Sequence, residues 1–67
     1  MLRKMHFMNL TFETELEDDG RWLAEVPEIA GVMAYGATKL EAVERAGALA
    51  FRTLAEQLKH GEFLPQI

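Results

Sequence analysis

The options of this chain narrow most between Gly20 and Val43. Arg21 to Val26 sets Trp22, Ala24 and Val26 on one side of an extended backbone and Leu23 and Glu25 on the other, the period-two pattern of a short strand. Pro27 lacks the N–H that a ladder needs, so pairing is expected to stop there. Gly31 restarts the chain after a corner, Val32 to Tyr35 has strand composition, and Gly36 ends it. Thr38 followed by Glu41 is a capping box, which predicts a helix directly afterwards. Strand, corner, strand and capped helix thus follow one another closely.

The segment before this stretch alternates. Met8, Leu10, Phe12, Thr14 and Leu16 share one face of a strand predicted over Met5 to Leu16, and Phe7, Asn9, Thr11, Glu13 and Glu15 share the other. Glu17-Asp18-Asp19-Gly20 is a turn with two possible registers: Leu16 opposite Leu23 across a two-residue loop, or Leu16 opposite Trp22 across a three-residue loop with Gly20 left-handed. The second is preferred, because it gathers Leu10, Phe12, Leu16, Trp22, Ala24 and Val26 on one face, a set that a one-residue slip would divide. It also sets Glu13 opposite Glu25, which is unfavourable unless a cation covers them. Ile29 is expected to tuck under the corner.

The helix is predicted from about Lys39 to His60, with Gly61 as its stop. Leu40, Val43, Gly47, Phe51, Leu54 and Leu58 form the predicted buried stripe, and Gly47 is expected to allow close approach over the ring of Trp22 or Phe12. A second, smaller strip of Ala42, Ala46, Leu49 and Thr53 is left over as a candidate oligomer interface. Phe63 and Leu64 are a candidate final edge strand or packed tail. The predicted class is α/β in the α+β sense: β-β-β-α-(β), a three-stranded antiparallel sheet covered by one long helix, in a single domain over residues 1–67.

Sixty-seven residues without cysteine cannot be stapled by a disulfide or a thiolate metal site. A chain of this size buries only about 60% of its unfolded surface, so association is the expected remedy, as a homo-oligomer that is a dimer at least. The net charge of −4 argues against direct nucleic-acid binding and suits a basic protein partner. No apolar run reaches membrane-spanning length, and polar residues interrupt any signal-like core after the basic N-terminus, so no membrane partner and a cytoplasmic location are expected.

Two runs resemble the HicB-like antitoxin family: Asp19-Gly20-Arg21-Trp22-Leu23-Ala24-Glu25-Val26-Pro27-Glu28-Ile29-Ala30-Gly31 and Tyr35-Gly36-Ala37-Thr38-Lys39-Leu40-Glu41-Ala42. The ending Gly61-Glu62-Phe63-Leu64-Pro65 is similar as well, so the likeness spans about residues 6 to 65. The resemblance implies a reduced ribonuclease-H-like unit without ribonuclease catalysis. It also implies a role in binding and neutralising a HicA-type toxin, a small basic RNA-cleaving protein. Many members carry a further C-terminal DNA-binding segment that represses their own operon; this sequence stops at Ile67, so a stand-alone domain of the N-terminal type, without that segment, is expected.

The chemistry-bearing residues are weighed against that role. Glu13, Glu15 and Glu25, with Leu23 among them, are the candidate partner-binding residues: an acidic face for a basic protein. The alternatives are a regulatory or structural oligomer with an unknown ligand, and a metal-dependent nuclease using Glu13, Glu15 and Glu25. His6 and His60 lie at opposite ends, and neither has a neighbouring nucleophile or orienting partner in the sequence, so both are read as ordinary surface or interface residues. Trp22 is read as core. Gly31, Gly36 and Gly47 fit no phosphate loop. No catalytic residue, metal site or cofactor is predicted.

Overall fold

The computed structural model describes residues 3–7 and 10–61, with side chains for Lys4 and from Leu10 to Gly61. Strands β1 (Arg3–Phe7), β2 (Leu10–Leu16), β3 (Trp22–Glu25) and β4 (Met33–Gly36) pair antiparallel in sequence order, and helix α1 (Lys39–Lys59) covers one face of the sheet. The α+β class is therefore as expected, with the three predicted strands present as β2, β3 and β4.

The strand predicted over Met5 to Leu16 is two strands. Phe7 is the register partner of Leu10, so the chain reverses between them. Extended, that run would reach about 40 Å at ~3.4 Å per residue, far longer than the strands beside it. Folding back lets its first part pair with its second. Asn9, a turn-favouring residue type, is the sequence mark of the break.

The β2–β3 register is the preferred one, with Leu16 opposite Trp22 and Glu13 opposite Glu25. Its loop closes when the Glu17 N–H donates to the Arg21 carbonyl at 2.8 Å and the Gly20 N–H donates to the Glu17 carbonyl at 3.0 Å. Gly20 sits at φ 88°, where a side chain would be strained. The corner after Pro27 brings the Val26 N–H onto the Val32 carbonyl at 3.0 Å and buries Ile29, as expected.

Small residues make the centre of the core. Ala24, Ala42, Ala46 and Ala50 are all 0% exposed, and Leu10, Phe12, Val26, Ile29 and Val32 close around them. Trp22 is half-buried against this cluster, but Leu16 is 50% exposed. The helix packs mainly on β4 and β3 and only lightly on β2, where Gly47 lies over Phe12.

Thr38 caps α1 as predicted. Its Oγ1 accepts the Glu41 N–H at 3.0 Å, while the Glu41 carboxylate accepts the N–H of Ala37, one residue before the cap, at 2.7 Å. Such a cap contributes about 0.5–2 kcal/mol. Gly61, at φ 73°, follows the helix end and donates its N–H to the Leu58 carbonyl.

The assignment of the helix faces needs correction. Ala42 and Ala46, placed at a candidate oligomer interface, are fully buried against the sheet; Leu49 packs on the core and Thr53 is half-buried. Ala42 and Ala46 are therefore intrachain core, with Leu49 and Thr53 at its margin. Of the predicted buried stripe, Val43, Gly47 and Leu54 are half-buried, whereas Leu40, Phe51 and Leu58 are exposed. Small helix residues win the sheet side because the sheet beneath is itself small at Ala24, Ala34 and Gly36, so short side chains let the layers meet closely. The tightest contact is at Gly36, where an added Cβ would lie 2.5 Å from the Ala42 backbone nitrogen. At Gly47 it would lie 3.7 Å from Phe12 Cζ, an ordinary contact. The expected approach over Phe12 exists, then, but leaves room for a methyl group. The predicted extension at Phe63 and Leu64, and the side chains of Met5, His6 and Met8, lie outside the described residues.

Candidate partner-binding face

Strand alternation decides what lies on the side of the sheet away from α1. Phe12, Thr14 and Ala24 point into the core, so Thr11, Glu13, Glu15, Leu23 and Glu25 point outward. The register then assembles them into rows. Lys4, Glu13, Glu25 and Met33 stand side by side across β1 to β4 in one row. Glu15, Leu23 and Tyr35 form the next. All four predicted partner-binding residues, Glu13, Glu15, Leu23 and Glu25, are thus on one surface.

Glu13 and Glu25 face each other directly, a like-charge pair that the sheet tolerates only with compensation. Lys4 supplies it from the other side, its Nζ 3.8 Å from Glu13 Oε2. With Lys4 63% exposed, that ion pair is worth at most about 1 kcal/mol. At the far margin, the Arg21 guanidinium lies 4.1 Å from the centroid of the Tyr35 ring. Asp19 holds it there through Arg21 Nε at 2.7 Å. The Asp19 carboxyl titrates below its ordinary value, chiefly because it accepts the Arg21 backbone N–H, and further because it accepts the side-chain N–H. At the opposite margin the Glu28 carboxylate accepts the Thr11 N–H at 3.0 Å and the Thr11 hydroxyl at 2.6 Å, tying the corner to the start of β2.

Met33 and Tyr35 were not among the predicted site residues. Both are exposed, and the register seats them beside Glu25 and Leu23. The hairpin register followed by strand alternation in Val32 to Tyr35 carries the signal that could have found them. The surface therefore combines three carboxylates with Leu23, Met33 and Tyr35, which suits a partner offering cations around an apolar contact.

Among the described residues no group of three or more histidine, cysteine, aspartate or glutamate side chains is placed to hold a metal ion. Glu13 and Glu15 are two apart on a strand, which separates them by about 7 Å along the sheet. Among the described residues no helix is long and apolar enough to cross a membrane.

Comparison with protein-family models, curated proteins and solved structures finds no match to this chain.

Proposed function

We propose that this chain is a non-enzymatic, antitoxin-like protein-binding module of the cytoplasm. In this reading it is HicB-like, works as a homo-oligomer, and neutralises a small basic HicA-type RNA-cleaving toxin by direct contact rather than by binding nucleic acid. The observation that carries the reading is the open sheet face, where Glu13, Glu15 and Glu25 surround Leu23 and adjoin Met33 and Tyr35. Among the described residues α1 covers only the other side of the sheet, which leaves Glu13, Leu23 and Glu25 half-buried and Glu15, Met33 and Tyr35 exposed. The motif resemblance over Asp19–Gly31 and Tyr35–Ala42 names the kind of partner, and the reduced ribonuclease-H-like plan it implies is part of the same proposal. The nuclease alternative is weaker, since Glu13, Glu15 and Glu25 belong to no metal-holding group among the described residues.

The test is RNA cleavage by a purified HicA-type toxin with the chain added at increasing ratio. Inhibition near equimolar chain is expected, weakening as salt rises. Glu13→Lys combined with Glu25→Lys is expected to abolish it at unchanged helicity. Full toxin activity with the wild-type chain in excess at low salt would remove this function.

A further inference from the structure

The outer face of α1 carries an apolar stripe that nothing in the described chain covers. Leu40, Ala48, Phe51, Ala55 and Leu58 are all exposed, the three large ones at 67%, 45% and 51%. With Glu44, also exposed, they recur every three or four residues and share one side of the helix. That side is turned away from the buried Ala42, Ala46 and Ala50. A monomer gains nothing from presenting three large apolar side chains in line on water.

We infer that a second copy of this chain covers the stripe, with the two α1 helices packed antiparallel about a twofold axis. The inference rests on the oligomer part of the proposed function and not on the toxin part. The stripe is self-complementary in that orientation alone. Running antiparallel, Leu40 of each copy meets Leu58 of the other, and the large Phe51 meets the small Ala48. Glu44 meets Ala55, whose neighbours one turn before and after are Arg52 and Lys59, both exposed. The start of this side carries Glu41, Glu44 and Arg45, the last 3.6 Å from Glu41, and its end carries Arg52, Glu56 and Lys59, so a net negative start lies against a net positive end of the partner helix. A parallel pairing would instead stack Glu44 on Glu44. Spacings of three and four residues with small residues near the centre are the pattern by which two helices interlock closely. Helix and acidic face lie on opposite sides of the sheet, so the dimer leaves two partner faces pointing outward, one per copy.

Sedimentation equilibrium over a micromolar concentration series tests this, with far-ultraviolet circular dichroism to verify folding. The wild-type chain is expected at twice its 7.6 kDa mass. Phe51→Glu, at an exposed position, is expected to stay folded and to raise the dimer dissociation constant at least a hundredfold. Glu44→Arg is expected to raise it more than tenfold, and adding Arg52→Glu and Lys59→Glu to restore pairing. The native chain has no cysteine, so a Leu40→Cys chain mixed with a Leu58→Cys chain should form the mixed disulfide. Leu40→Cys alone should not cross-link, because in the antiparallel pair its two copies stand about 27 Å apart at ~1.5 Å per residue. A wild-type monomer at every concentration overturns both the oligomer and this interface. A dimer whose dissociation constant is unmoved by Phe51→Glu and Glu44→Arg overturns the interface alone. Neither result depends on the toxin assay, which Phe51→Glu should leave unchanged per chain.

Discussion

Gly36→Ala adds one methyl group where the structure has no room for it. The new Cβ would sit 2.5 Å from Ala42 N, 2.9 Å from the Glu41 carbonyl carbon and 3.0 Å from Ala42 Cα. All three are backbone atoms of the first helical turn, so no side-chain rotation relieves the contact. The turn itself must move off β4 by about 1 Å to reach ordinary contact distance. That movement strains the Ala42 N–H bond to the Thr38 carbonyl and the cap that Thr38 makes to Glu41. The expected destabilisation is about 3 kcal/mol, the upper part of the overpacking range. Against a total of roughly 3–10 kcal/mol for a chain of this length, at ~0.05–0.15 kcal/mol per residue, it is a large fraction. With a urea slope of about 1 kcal/mol/M for so small a domain, the midpoint should fall by about 3 M. Gly47→Ala is the internal control, since the same methyl group meets Phe12 Cζ and Cε1 at 3.7 and 3.8 Å. It should raise stability by about 1 kcal/mol through helix propensity. Identical chemistry at two glycines is thus expected to give opposite signs. A Gly36→Ala midpoint within about 0.5 kcal/mol of wild type, a shift ordinary for a surface change, would refute the close contact between β4 and the helix start.

Two further outcomes follow from single polar groups. Thr14 is 1% exposed and its hydroxyl has no hydrogen-bond partner among the described residues, so Thr14→Val should stabilise by about 1 kcal/mol in thermal or urea unfolding; a loss instead would mean the hydroxyl is satisfied. Asp19 should titrate below 3.8 by NMR, and Arg21→Ala should return it only part of the way, because the larger cause is the backbone N–H that the variant keeps. Its lowered value means that its small stabilising effect is present above the unfolded value and fades as pH falls through the folded one. An Asp19 titration unmoved by Arg21→Ala would show that the ion pair does not form in solution.

Local rules were enough where one face of an element had a single claimant. The three-residue loop, the tucked Ile29, the Thr38 cap and the Gly61 stop each follow from neighbouring residues, and each is found. The split between β1 and β2 was less legible, because Met5 to Leu16 alternates with Phe7 out of pattern, and Asn9, the turn-favouring residue, falls in phase on the polar side. The helix face was misassigned for a different reason. Apolar residues surround more than half of α1, and hydrophobic period alone ranks Leu and Phe above Ala for burial. The decision belonged to the sheet, whose Ala24, Ala34 and Gly36 admit only short partners at the centre. The candidate partner residues were legible because strand alternation fixed their side once the register was known; Met33 and Tyr35 needed the β3–β4 pairing as well.

The sequential order of the sheet bears on how quickly this chain reaches its folded state. Every strand pairs with the strand next to it along the chain, and α1 follows directly on the last of them. No segment must wait for a distant one, so loop-closure entropy is met in small steps. Hairpins close in about 1–10 μs, and domains dominated by such local pairings fold far faster than those built on distant crossovers. A newly made copy would therefore expose the apolar faces of its sheet and helix only briefly before they meet, which leaves little time for β1 or β4, the outer strands among the described residues, to capture a strand from another unfolded chain.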